Sequence, residues 1–195
     1  KGTFMEHANL IRLSGTTGQG IPDLIAELDR LADAARQRSI EGPFRLPVDR
    51  VFTVTGFGTV VTGTLTSGTL RLGDPVSILP HNINSRVRQL EVHGVKQETV
   101  YAGMRVAVNL AGVDVPDMHR GSVGVPPGYL QPTKAVDAAV NVLKGSHRPL
   151  TNRARIRLHI GTVEAIGRAI ILGQEEIAPG GKGFVQLKLE NPIVA

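Results

Sequence analysis

Apolar residues recur at helical spacing early in the chain and alternate with polar ones from residue 44 on. Leu24, Ile25, Leu28, Leu31, Ala32 and Ala35 share one face of a helix that opens at Pro22. Proline costs nothing there, because a first-turn amide has no partner in the helix anyway. Asp23 and Glu27 come early and Arg36 and Arg38 late, the charge order that suits the helix dipole. Ahead of the helix, Asn9-Leu10-Ile11-Arg12-Leu13 predicts a short strand, and residues 14–20 a Gly/Thr turn. A strand, a turn and one helix cannot close a core. Residues 1–42 are therefore expected to be the last αβ fragment of a larger domain.

Glu41-Gly42-Pro43 ends the helix, and the period becomes two. Strands are expected at Val51–Val54, Thr59–Gly63, Leu70–Leu79, Val87–Val92 and Arg105–Ala111. Turn signals separate them at Ser67-Gly68, Gly73-Asp74-Pro75, His93-Gly94 and Ala102-Gly103. Short strands at even spacing with little helix predict an antiparallel barrel over 43–126. Val125-Pro126-Pro127-Gly128 marks a second boundary. Lys134–Leu143, Arg153–Gly161, Gly167–Leu172 and Gly183–Leu189 then predict a second barrel over 127–195, which stops before its expected set of strands is complete. The fold expected is mainly β, two consecutive antiparallel β-barrels after a short αβ remnant.

Composition narrows the functions. The chain has 195 residues, 41% hydrophobic and 20% charged, a globular composition. Cysteine is absent, so no disulfide scaffold or thiolate zinc site is expected, and a reducing cytoplasm suits the chain. No apolar run approaches the roughly 20 residues that span a bilayer, and no membrane partner is expected. The six histidines are scattered, with none at ligand spacing to a carboxylate, so no metal site is expected. The net charge of +5 divides as −1 over residues 1–42, +2 over 43–126 and +4 over 127–195. That gradient fits a polyanion at the C-terminal third, or simply a solvated basic face.

The segment Phe44-Arg45-Leu46-Pro47-Val48-Asp49-Arg50-Val51-Phe52, followed by Gly56-Phe57-Gly58-Thr59-Val60-Val61-Thr62-Gly63 and Gly73-Asp74, resembles the second domain of translational GTPases. Together with Arg86–Gly94 and Ala102–Gly112, and with Phe57 and the Val60-Val61 pair, it resembles most the selenocysteine-specific elongation factors. Ser14-Gly15-Thr16-Thr17-Gly18 resembles the last guanine-contacting loop of such GTPases, with Gly15 where alanine is usual. The resemblance implies three parts: a GTPase-domain remnant (1–42), barrel domain II (43–126) and domain III (127–195).

The chain has no Gly-x-x-x-x-Gly-Lys-Ser/Thr phosphate loop. It is expected neither to bind GTP tightly nor to hydrolyse it, and to need no cofactor; GTP and magnesium would belong to the parent protein. The partners implied are selenocysteinyl-tRNA and the ribosome, with an mRNA hairpin met only through regions outside this chain. Two alternatives stand beside this: another tRNA-binding factor, elongation factor Tu-like or an initiation factor, and a protein-interaction barrel that binds no RNA.

By resemblance, Asp49, Arg50 and Arg105 form the selenocysteine pocket. A selenol is more acidic than a thiol, whose pKa is about 8.5, so selenocysteine is an anion where serine is neutral. Arginine, always charged, discriminates between them. The two guanidinium groups are expected to converge inside the barrel on the selenolate, with Asp49 accepting from the α-amino group or orienting an arginine; ordinary ion pairs are the plainer reading. Glu91 and His93 would border the terminal adenosine, His93 being equally a surface turn residue. Arg153, Arg155, Arg157 and His159 alternate with Ala154, Ile156, Leu158 and Ile160, which predicts one basic strand face. It would contact the tRNA backbone or stand solvated.

Overall fold

The computed structural model describes residues 5–35, 38–54, 56, 58–113 and 118–195. Phe57 and Arg36 lie outside the described residues. Helix α1 spans Ile21–Ala34 with Pro22 in its first turn and Asp23 beside it. The helix follows its apolar period but buries none of its residues: Ile25, Leu28 and Leu31 remain about half exposed. The expected strand at residues 9–13 is absent. Leu10 is 95% exposed, and no described segment pairs with that backbone, which is what a strand requires.

A closed barrel follows. Its strands are β1 (Leu46–Val54), β2 (Gly58–Thr64), β4 (Pro75–Leu79), β5 (Ile83–Val92), β8 (Arg105–Leu110) and β9 (Val123–Val125). They pair in the ring β4-β9-β1-β2-β8-β5, which a β4–β5 pairing closes. Strand β6 (Val95–Gln97) extends β5 outside the ring. The expected single stretch 70–79 is two strands, β3 (Thr69–Arg71) and β4, parted by a turn in which Asp74 accepts from the Arg71 amide at 2.8 Å. Strand β3 pairs with β7 (Thr99–Tyr101), adding Leu70 and Val100 to the core. Val48, Val61, Ile78, Leu90 and Val108 fill the interior. Each is worth about 1.5–3 kcal/mol of burial.

One irregularity positions the site. In the β1–β2 ladder Val48 faces Gly63 but Arg50 faces Thr62, so Asp49 is an extra residue in a bulge. Gly63 permits it: a Cβ there would collide with the Pro47 carbonyl.

The C-terminal part is an antiparallel sheet of β10 (Thr133–Asn141), β12 (Arg155–Ile160), β13 (Val163–Leu172) and β15 (Lys182–Ile193), in the order β10-β15-β13-β12. A ribbon of β11 (Leu150–Thr151) and β14 (Glu176–Ile177) packs Leu150 and Ile177 into the same core. Among the described residues no pairing closes this sheet into the second barrel that the sequence predicts. The seam to the first barrel is apolar, Leu79, Val123 and Val125 against Val194 and Leu130. Two hydrogen bonds clasp it: Thr162 Oγ1 donates to the Val48 carbonyl and the Arg45 guanidinium to the Val194 carbonyl, both at 2.7 Å. No helix among the described residues is long and apolar enough to cross a membrane.

Candidate functional site

The ladder registers draw one row across the outside of the barrel. Arg50 on β1 faces Thr62 on β2, Thr62 faces Ala107 on β8, Ala107 faces Glu91 on β5, and Glu91 faces Lys96 on β6. Directly opposed residues share a face. Their neighbours Val61, Val106 and Leu90 point into the core, so this row faces out. Asp49 and Arg50 thus sit on the outer surface, which corrects the expectation that the guanidinium groups face the barrel's interior. The physical reason is the period of two: with Val48, Val61 and Val106 inward, the residues between them have no room inside.

Asp49 is the hub. Arg105 grips it with both guanidinium nitrogens, NH1 to Oδ2 and NH2 to Oδ1, the latter at 3.1 Å. The Thr62 hydroxyl donates to Oδ1 at 2.7 Å. The Arg105 hydrogen bond holds the Asp49 carboxyl below its ordinary value, the Thr62 hydroxyl and the nearby Arg50 charge add to this, and partial burial opposes it. Asp49 in turn raises Arg105 above the usual guanidinium value. No ion pair of Arg50 is seen among the described residues. The cluster of two arginines and one carboxylate therefore carries one net positive charge.

Beside it lies a depression of about 380 Å³ lined by Phe52, Thr62, Glu91, His93 and Arg105. A second, of about 140 Å³, shares Glu91 and Ala107 and adds Val54, Val60, Gln89 and Asn109. The structure therefore joins Arg105, Glu91 and His93 in one hollow. His93 occupies the hairpin turn between β5 and β6 with φ 51°, followed by Gly94 at 79°, a two-residue turn with both central residues left-handed. It is a turn residue and a lining residue at once. Phe52, Thr62, Gln89 and Asn109 escape sequence reasoning. Phe52, a 40% exposed aromatic on a strand, is the one with a visible signal, once the bulge sets its face.

The other expected positions fall elsewhere. Ser14 lies in an exposed turn, its hydroxyl accepting from the Thr17 amide at 3.3 Å, and Gly15 stands in open space. Arg155, Arg157 and His159 share the outer face of β12 while Ile156, Leu158 and Ile160 pack inward. Arg153 leaves the expected strand: its φ of 61° puts it in the turn before β12. Glu164 stands 3.4 Å from Arg157 and 3.7 Å from His159. No cluster of three or more metal-ligating side chains occurs among the described residues.

The closed six-strand barrel is consistent with the second-domain fold of elongation factor Tu. Residues 58–125 match the family model described as Elongation factor Tu domain 2. By sequence the chain is a relative of the selenocysteine-specific elongation factors. It is 40% identical over 195 residues to the "Selenocysteine-specific elongation factor" of Desulfomicrobium baculatum, covering 98% of this chain and 30% of that protein. It is 35% identical to "Elongation factor Tu 2" of Streptomyces avermitilis, covering 88% of this chain and 47% of that protein. Among solved structures it resembles translation elongation factor SelB from Methanococcus maripaludis in its apo form, with TM-score 0.81 and 25% identity, over 94% of this chain and 43% of that one. The chain thus spans about a third to a half of its relatives' lengths.

Proposed function

We propose that this chain is the tRNA-handling part of a selenocysteine-specific elongation factor, holding selenocysteinyl-tRNA for delivery to the ribosome. On this reading residues 1–42 end a GTPase domain, 43–126 form domain II and 127–195 domain III, while GTP and magnesium are bound elsewhere in the parent protein. The observation that carries the reading is the Asp49–Arg105–Thr62 cluster with Arg50 beside it. Asp49 fixes the Arg105 guanidinium on the barrel wall and cancels one of two positive charges. Arg50 has no ion pair among the described residues, and its guanidinium suits a side chain with one negative charge. A selenolate satisfies it and a seryl hydroxyl does not. A charge-assisted hydrogen bond contributes roughly 1.5–3 kcal/mol, and each 1.4 kcal/mol is tenfold in affinity. Glu91 and His93, in the depression that Arg105 also lines, are suited to the terminal nucleoside of the acceptor end. The basic face of β12 is suited to backbone phosphates.

The test is competition between selenocysteinyl-tRNA and seryl-tRNA on the full-length factor. Arg105→Ala is expected to weaken selenocysteinyl-tRNA binding at least tenfold more than seryl-tRNA binding. Equal losses for both would remove the selectivity argument. The match to an elongation factor Tu supports the rival reading of a general aminoacyl-tRNA carrier, which a panel of aminoacylated tRNAs separates from this one. Binding that ignores salt, or no RNA binding at all, favours a protein-interaction barrel.

A further inference from the structure

Two of the chain's six histidines meet at one end of the first barrel. Strand β4 runs antiparallel to β9, with Leu79 facing Val123. The turn after Leu79 and the loop before Val123 therefore lie at the same end of two paired strands. His81 is in that turn, which the Ile78–Ile83 pair closes between β4 and β5. His119 is in that loop and is held by a tight turn. The Ser122 amide donates to the His119 carbonyl at 3.0 Å, and the His119 amide donates to the Ser122 hydroxyl at 3.3 Å. The two imidazole centres stand 5.3 Å apart with their planes crossed at 67°. Both residues are exposed, and among the described residues this ring contact is the interaction seen for both side chains. They open on a hollow of about 480 Å³ at the seam of the two β units, lined also by Arg120, Thr162, Glu164 and Asn191. Arg120 and Glu164 carry opposite charges, so the lining adds no net repulsion toward a cation.

We propose that His81 and His119 form a two-imidazole site for a borderline divalent transition-metal ion, zinc or nickel, with water in the remaining positions. Neutral imidazole is the donor that these ions favour. With metal–nitrogen bonds of about 2.0–2.1 Å at a tetrahedral angle, two ring centres fall about 5 Å apart, close to the observed 5.3 Å. The second torsion of a histidine side chain is broad. On two exposed residues it turns both nitrogen edges toward one ion without moving the backbone. The hollow has room for the waters that complete the coordination. The loop bearing His119 lies against the second unit, where a Cβ on Gly121 would meet the Val163 side chain at 3.1 Å. A bound ion therefore pins the turn, the loop and the seam together. The site is independent of the tRNA reading and stands or falls without it.

The experiment is isothermal titration of this chain with zinc chloride, nickel chloride and magnesium chloride. One equivalent of zinc or of nickel is expected to bind, and no magnesium, which prefers oxygen ligands. His81→Gln and His119→Gln should each weaken zinc binding about tenfold or more, because one imidazole cannot chelate. His147→Gln, at an exposed histidine elsewhere, should leave it unchanged. Saturating zinc should raise the thermal midpoint of the wild-type chain by about 5 °C or more and leave both chelate variants unmoved. A measurement on the unaltered chain sets misfolding aside: the histidine ring nitrogens are followed by NMR as zinc is added. Two of the six should shift, and they should be the two missing from the His81→Gln and His119→Gln spectra. A wild-type chain that takes up no zinc overturns the proposal. So does magnesium that binds as well as zinc, undiminished affinity in His119→Gln, or zinc-induced shifts at other histidines.

Discussion

Asp49 is a carboxylate held below its ordinary pKa by hydrogen bonds from Arg105 and Thr62, and that fixes the sign of its pH effect. A group depressed in the folded state adds stability above its unfolded pKa of about 3.9 and loses it as pH falls through the folded value. Arg105 is half exposed, so solvent screens the pair and its whole contribution is about 0–1 kcal/mol. Asp49→Asn should therefore cost less than about 1 kcal/mol near neutral pH, and the gap to wild type should shrink toward zero in acid. Urea unfolding midpoints across a pH series check this; a gap that stays constant into acid contradicts it. Asp49, Arg50 and Arg105 were legible as candidates for the proposed site through their motif. Their pairing was not, because 56 residues separate Asp49 from Arg105 and only the β1-β2-β8 register brings them together. Thr62 was hidden for the same reason.

At the scale of the element, the bulge in β1 switches the strand's inward positions. Leu46 and Val48 point into the core before it, and Val51 packs on the same core after it, so the inward set changes from even to odd numbers. That change places Asp49 and Arg50 on one wall and turns Phe52 toward the depression. Deleting Asp49 would leave a regular strand with Arg50 out and Val51 in. Such a deletion is expected to preserve the barrel, with a thermal midpoint within a few degrees of wild type, and to abolish the Arg105 anchor. Thermal unfolding followed by circular dichroism measures it; loss of a cooperative transition refutes the register argument. Alternation made most strands legible, since each has one face on a core. It failed at residues 9–13, which no strand among the described residues pairs, and at Arg153, whose left-handed turn has no periodic signal. His81 could not be joined to His119 from sequence, because strand order was unknown.

Over the whole molecule, the two β units meet where β1 begins. The Val48 carbonyl accepts from the Thr162 hydroxyl one residue before the bulge, so the β12–β13 turn is tied to the strand that bears the site. Thr162→Val keeps the shape and removes the donor. It should cost about 1–3 kcal/mol, the penalty of an unsatisfied carbonyl, offset in part because the Gly121 amide also donates to Val48 at 3.1 Å. Hydrogen exchange should show faster opening around residues 121–123 and 160–163, with the amides of Val61 and Val108 unchanged; uniform acceleration across the barrel would contradict a local clasp. The units differ in one further respect. The barrel ring leaves no free rim, whereas the C-terminal sheet ends in β12 and β10. Arg155, Arg157 and His159 stand along the first of these rims, and like-charged rims keep two sheets from adding strand to strand. Neutralising them would remove that guard, and the chain would be free to polymerise through its own backbone.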